Sequence, residues 1–137
     1  MGTASFKINL ALKGLPCFKG DKPGIESARH WSVVNLVDSW QGIDESFRSA
    51  IGGKIANATV QMLIPSVLDD TLAPPGQHGA SLACKYFPYD LADGKSWNDL
   101  REEAGDRILA WVERFIPCLQ DPIVGRQVIT PKDFRRL

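Results

Sequence analysis

The stretch from Met62 to Tyr89, MLIPSVLDDTLAPPGQHGASLACKYFPY, holds two runs of extended-chain character that cannot merge into one. Val60, Met62 and Ile64 alternate with Thr59, Gln61 and Leu63, the period-two pattern of a strand with two unlike faces. Pro65 has no amide hydrogen to give a sheet ladder, so that strand stops there or runs along an edge. Asp69 and Asp70 favour one turn, and Pro74-Pro75-Gly76 enforces a second. Ala80, Leu82, Cys84 and Tyr86 open a new alternating run that Pro88 closes. A linker of about a dozen residues is long for a hairpin, and an ordinary surface loop accounts for it.

The same logic extends along the chain. Phe6, Ile8, Leu10 and Leu12 alternate with Lys7, Asn9, Ala11 and Lys13, which predicts a strand with one buried and one wetter face. From Gly14 to Arg29 there is glycine, proline and charge without a period, which predicts a mobile loop. Trp31 to Val37 is rich enough in β-branched and aromatic residues for a second strand. Asp38 or Ser39 then offers a helix cap, and Trp40, Ile43, Phe47, Ala50 and Ile51 fall on one face of a short helix ended by Gly52-Gly53.

A longer helix starts at Ser96, where Ser96 and Asp99 approximate a capping box. Trp97, Leu100, Ala104, Ile108, Trp111, Val112 and Phe115 make its apolar stripe, a pattern of core packing. Glu103 and Arg107 stand at pairing distance on the helix surface, and Pro117 ends it. Val124 to Thr130 reads as a fifth strand. Thr130-Pro131-Lys132-Asp133 then has the cap, proline and acid of a new helix start. A helix of so few residues does not hold itself, which predicts a chain cut from a longer one or a gene that stops early.

The expected fold is therefore a single α+β domain: a mostly antiparallel sheet of about five strands in β-β-α-β-β-α-β order, with two helices packed on one face. Its 137 residues suffice for one core. Sixteen basic residues balance sixteen acidic ones, so no overall field favours nucleic acid or anionic lipid. No apolar run is long enough for a membrane span, and no signal peptide is evident. Cys17, Cys84 and Cys118 are odd in number and far apart, which points to a reducing, cytoplasmic setting rather than a disulfide framework. No Cys-x-x-Cys pair occurs and His30 and His78 are distant, so no metal site is expected.

Catalytic signatures are sparse. The Gly-x-Gly-x-x-Gly turn that lets backbone amides reach a dinucleotide pyrophosphate is missing, as is the Gly-x-Ser-x-Gly elbow. His78 follows the Pro-Pro-Gly turn and has Asp69 and Asp70 as conceivable acid-base partners, against the plainer alternative of a solvent-facing turn histidine. The two aspartates are better explained by an Asx turn than by a carboxylate dyad. Lys85, Tyr86 and Tyr89 form the candidate ligand-facing set if the sheet lines a cavity; as amphipathic edge residues the tyrosines would simply pack.

Several segments carry a resemblance. IPSVLDDTLAPPGQH, LACKYFPYDLADGKSWNDLREEAGDRILAWVERFIPCL, VGRQVITPKD and the opening SFKINLALKGLPCF resemble the phytoene dehydrogenase-related FAD-dependent oxidoreductases. The similarity runs from Ser5 to Asp133 and is weakest between Gly20 and Asp38. Its specificity lies in the combination of the Ala73-Pro-Pro-Gly76 turn, Tyr86-Phe-Pro-Tyr89, and Gly125-Arg-Gln-Val-Ile-Thr-Pro131. The resemblance implies the substrate-side domain of such an enzyme. The family's FAD contacts fall outside these residues, so no cofactor is expected in this chain alone. A flavin-binding domain would be its partner in a full-length context. A free-standing module would instead expose apolar surface and form a homo-oligomer through a sheet edge or helix face. A small independent enzyme that reused the cavity would depend on Lys85, Tyr86 and His78.

Overall fold

Alternation of side chains does build the sheet. The computed structural model describes residues 3–22, 26–56, 59–117 and 119–135. Five strands, β1 (Thr3–Leu12), β2 (Val34–Leu36), β3 (Thr59–Leu63), β4 (His78–Pro88) and β5 (Ile123–Ile129), form one sheet in the order β2-β3-β4-β1-β5. Every neighbouring pair is antiparallel. Three helices accompany it: α1 (Trp40–Ile51), α2 (Trp97–Val112) and the one-turn α3 (Pro131–Phe134). The expected α+β order holds. Cys118 and residues 23–25 of the expected loop lie outside the described residues.

Register sorts the sheet into two faces. Phe6, Ile8 and Leu10 of β1 stand opposite Cys84, Leu82 and Ala80 of β4, and Val60 and Met62 of β3 meet the same Cys84 and Leu82. These side chains are all buried in one apolar core with Ala104, Ile108, Leu109 and Val112 of α2. α2 lies close over β5: a Cβ added at Gly105 would come within 3.1 Å of Val128 Cγ2. Arg126 of β5 reaches up to α2, donating to Asp106 (2.7 Å) and Glu102 (2.6 Å). The expected Glu103–Arg107 pair is not among the ion pairs of the described residues.

Four expectations change in detail. β2 is only three residues long, because Ala28–Trp31 winds into a 3-10 turn instead of extending. That turn is fastened by His30, whose Nδ1 accepts from the Ser27 amide (2.8 Å) while Nε2–H donates to the Pro16 carbonyl (2.6 Å). The aperiodic loop before it is not loose throughout, since Phe18 is buried against the His30 ring. α2 ends at Val112, before Pro117, and the Ser96 hydroxyl caps it by accepting from the Asn98 amide.

The fourth change concerns α1. The predicted stripe of Trp40, Ile43, Phe47, Ala50 and Ile51 does not face inward as a whole. Ser46 and Ala50 are the buried positions, while Trp40, Phe47 and Ile51 are exposed, Trp40 to 84%. Small residues let α1 sit close to β4, leaving Trp40 and Ile51 on the outer surface and Phe47 partly exposed beside Tyr86.

α3 has the capping box that its sequence announced, with Asp133 accepting from the Thr130 amide and hydroxyl. One turn is too short to persist by itself. Arg101 of α2 supplies the anchor: its guanidinium clasps both oxygens of Asp133 and also donates to the Val128 carbonyl (2.9 Å). The Arg101 contact, with the Thr130 bonds, holds the Asp133 carboxyl far below the ordinary carboxylate range. A depressed acid contributes stability above its unfolded pKa of about 3.9 and loses it as pH falls further. Asp133→Asn is therefore expected to cost about 1–3 kcal/mol at pH 7. The gap between the two proteins should close as thermal melts are repeated from pH 5 down to pH 2.

Candidate functional site

β4 carries the residues singled out from the sequence, and a kink in it determines where they go. Between Ala4↔Phe87 and Phe6↔Cys84 the β1–β4 pairing slips by one residue. The surplus residue is absorbed at Tyr86, which adopts φ +62°. Phe87 rather than Tyr86 thereby turns into the core, stacked on Phe6 (centroids 5.0 Å apart) and near Trp97 (6.2 Å). Tyr86 is left half-buried with its ring edge-on to Phe47 of α1 (6.1 Å).

Lys85, exposed, lies beside Thr59 on the sheet face opposite the core. Lys7, Asn9, Ala11, Gln61, Ser81 and Ala83 share that face by register. Asn9 donates across it to Gln127 of β5 (3.2 Å). These positions are partly to fully exposed, in contrast to the buried residues that alternate with them. The sheet thus has one greasy face under α2 and one small-residue, polar face.

His78 begins β4, at the far end from Tyr89, about 35 Å away along an extended chain. Its Nδ1 lies 3.0 Å from the hydroxyl of Ser66, which also accepts from the Gly79 amide. Neither Asp69 nor Asp70 is its partner. Asp69 instead accepts from the Thr71 amide and hydroxyl, the Asx turn anticipated from the sequence. The four candidates therefore do not converge: Lys85 and Tyr86 are neighbours at the bulge, while His78 and Tyr89 sit at opposite ends of the strand.

Tyr89 leads to residues that sequence reasoning passed over. It opens on a cavity of about 490 Å3 shared with Asp90, Lys95, Asn98, Lys132 and Arg135. Lys132 Nζ sits 3.5 Å from the centre of the Tyr89 ring, a cation–π contact, and donates to Asp90 (2.5 Å). Arg135 donates to the Tyr89 hydroxyl (3.4 Å). That hydrogen bond, with the charges of Lys132 and Arg135, pulls the Tyr89 phenol below its ordinary range. Ultraviolet titration of Arg135→Ala should show the Tyr89 transition moving to higher pH, with Tyr86→Phe used to assign it. Nothing in the spacing of Tyr89, Lys132 and Arg135 announces this group. The β4-β1-β5 order of the sheet brings them together.

Other chemistry is thin. Cys84 is fully buried and its thiol pushed up by desolvation, so it behaves as a small core residue. Among the described residues, no three His, Cys, Asp or Glu side chains gather to hold a metal ion. No helix there is long and apolar enough to cross a membrane.

No family profile matches the chain. It is 34% identical over 140 residues to the pyridine nucleotide-disulfide oxidoreductase domain-containing protein 2 of Rattus norvegicus. The Mus musculus protein of the same name is likewise 34% identical, over 138 residues. In each case 96% of this chain is covered but only 24% of the relative. The chloroplastic prolycopene isomerase of Daucus carota is 29% identical over 104 residues, covering 74% of this chain and 15% of that protein. The chain thus spans about a quarter of the length of these rat and mouse relatives. Along nearly all of its length, the chain is thus similar to one part of pyridine nucleotide-disulfide oxidoreductase domain-containing protein 2.

Proposed function

We propose that this chain is the substrate-side portion of a flavin-dependent oxidoreductase related to phytoene dehydrogenases, with the polar face of its sheet turned toward the flavin and substrate. The observation that supports this most is the asymmetry of the sheet. Helix α2 and the core occupy one face, while Lys7, Asn9, Gln61, Ser81, Ala83 and Lys85 line the other, partly exposed. Small side chains on that face let another surface approach closely, and the polar ones supply hydrogen bonds for orientation.

The chain's own residues do not fit a dinucleotide cradle. That cradle needs a strand, a glycine-rich turn and a helix in a parallel βαβ unit, whereas every strand pair here is antiparallel. The flavin would be held by the part of the relatives that this chain does not match. Flavin supplies the redox chemistry, and this portion contributes orientation and exclusion of water.

The test is reconstitution. Mixed with FAD and passed over a gel-filtration column, the chain alone should emerge colourless. Co-expressed with the remaining portion of a rodent relative, it should co-purify with a yellow complex. Ala83→Arg, placed on the open face, should abolish that association while leaving the circular dichroism spectrum intact. Retention of FAD by the chain alone, or assembly indifferent to Ala83→Arg, overturns the reading.

The outer surface of α1 favours a second reading, a self-associating module. Trp40, Phe47 and Ile51 lie in one line on that helix and are all exposed. Light scattering should then show a dimer that Trp40→Asp returns to monomer. A monomer at millimolar concentration removes this alternative.

A further inference from the structure

We propose that the cavity beside Tyr89 binds a compact oxyanion, a phosphate or phosphate monoester. Its lining carries three cationic side chains, Lys95, Lys132 and Arg135, against the single carboxylate of Asp90. The excess of positive charge matches a dianion better than a monocarboxylate. At about 490 Å3 the space exceeds what a bare phosphate needs and falls in the range of small-molecule sites.

Two of the three cations are positioned in advance. Lys132 is held between the Tyr89 ring and Asp90, so little ordering remains to be paid on binding. Arg135 uses one nitrogen on the Tyr89 hydroxyl, which leaves the rest of its planar fork for a ligand oxygen. Lys95 has no ion-pair partner among the described residues and is free to swing onto an anion. Trp97 and Asn98 form part of the wall, and the buried Trp97 indole, tied to the Pro88 and Tyr89 carbonyls, keeps it rigid. The site lies beyond the end of β4, apart from the open sheet face on which the proposed function rests. Its fate is independent of that reading.

The experiment is a titration of the full chain in low-salt buffer, followed by NMR amide and indole shifts, with inorganic phosphate, phenyl phosphate, and sodium chloride at matched ionic strength. Saturable shifts at Asn98 and the Trp97 indole are expected with the phosphates and not with chloride. Arg135→Ala and Lys95→Ala, both at exposed positions, should each weaken binding about tenfold. Asp90→Asn should tighten it, a gain that loss of fold cannot mimic. Tighter binding of phenyl phosphate identifies an ester ligand, and equal binding identifies free phosphate. Shifts that chloride reproduces, or affinity unchanged in both Arg135→Ala and Asp90→Asn, would overturn the proposal.

Discussion

Replacing Phe87 by alanine should destabilise the protein by about 3–5 kcal/mol in urea denaturation, a large share of the roughly 5–15 kcal/mol by which a domain of this kind is stable. Phe87 is 2% exposed and stacks on Phe6 while facing Trp97. These rings plug the end of the core where β1, β4 and the start of α2 meet. Trp97 is fixed there by its own indole hydrogen bonds to the Pro88 and Tyr89 carbonyls, each 3.2 Å. With both flanking rings constrained, the cavity left by alanine has little freedom to collapse. Phe47→Ala is the matching control. That ring is 43% exposed, and its loss should cost no more than about 1 kcal/mol. A Phe87→Ala penalty as small as the control's would mean that this aromatic cluster does not anchor the core.

Gly53→Val is expected to cost about 2–5 kcal/mol, for two reasons that add. The residue has φ +76°, a conformation that costs a residue with a Cβ roughly 1–2 kcal/mol. A Cβ there would also stand 2.8 Å from the Ala92 nitrogen and 3.1 Å from the Asp90 carbonyl oxygen, backbone atoms with nowhere to go, an overpacking penalty of about 1–3 kcal/mol. The Ala92 amide donates to the Gly53 carbonyl (2.9 Å), so the clash would loosen the tie between the exit of α1 and the entry to α2. Gly52→Ala, one residue earlier, serves as the comparison. Gly52 has φ −80° and its added Cβ would meet only ordinary contacts of 3.5 Å or more, so stability should change by less than about 1 kcal/mol. Equal penalties at the two glycines would refute the argument from local geometry.

Most of the sheet was legible because period-two patterns survive wherever one face is buried. Phe6 through Leu12, Val60 through Ile64 and Ala80 through Cys84 all place their apolar members in the core as read. The pattern failed at Tyr86, since a one-residue slip against β1 has no local signature. It failed again on α1, where periodicity identifies an amphipathic helix but not the side that packs. There a close approach to neighbouring elements favoured Ser46 and Ala50 over the larger Trp40 and Phe47. The cavity at Tyr89 was unreadable for a related reason: Lys132 and Arg135 reach it from a different, distant turn.

The order of strands and helices, their approximate ends, and the caps at Ser39, Ser96 and Thr130 follow from residues close to one another in the chain. Such features depend on backbone stereochemistry and on short-range alternation, both of which the order of residues specifies directly. The bulge at Tyr86, the outward stripe on α1, the Arg101–Asp133 clasp and the cationic cavity were decided only when the strands paired in one register and α2 settled over β5. Each depends on distances between residues far apart along the chain, and those distances do not exist until the core has closed.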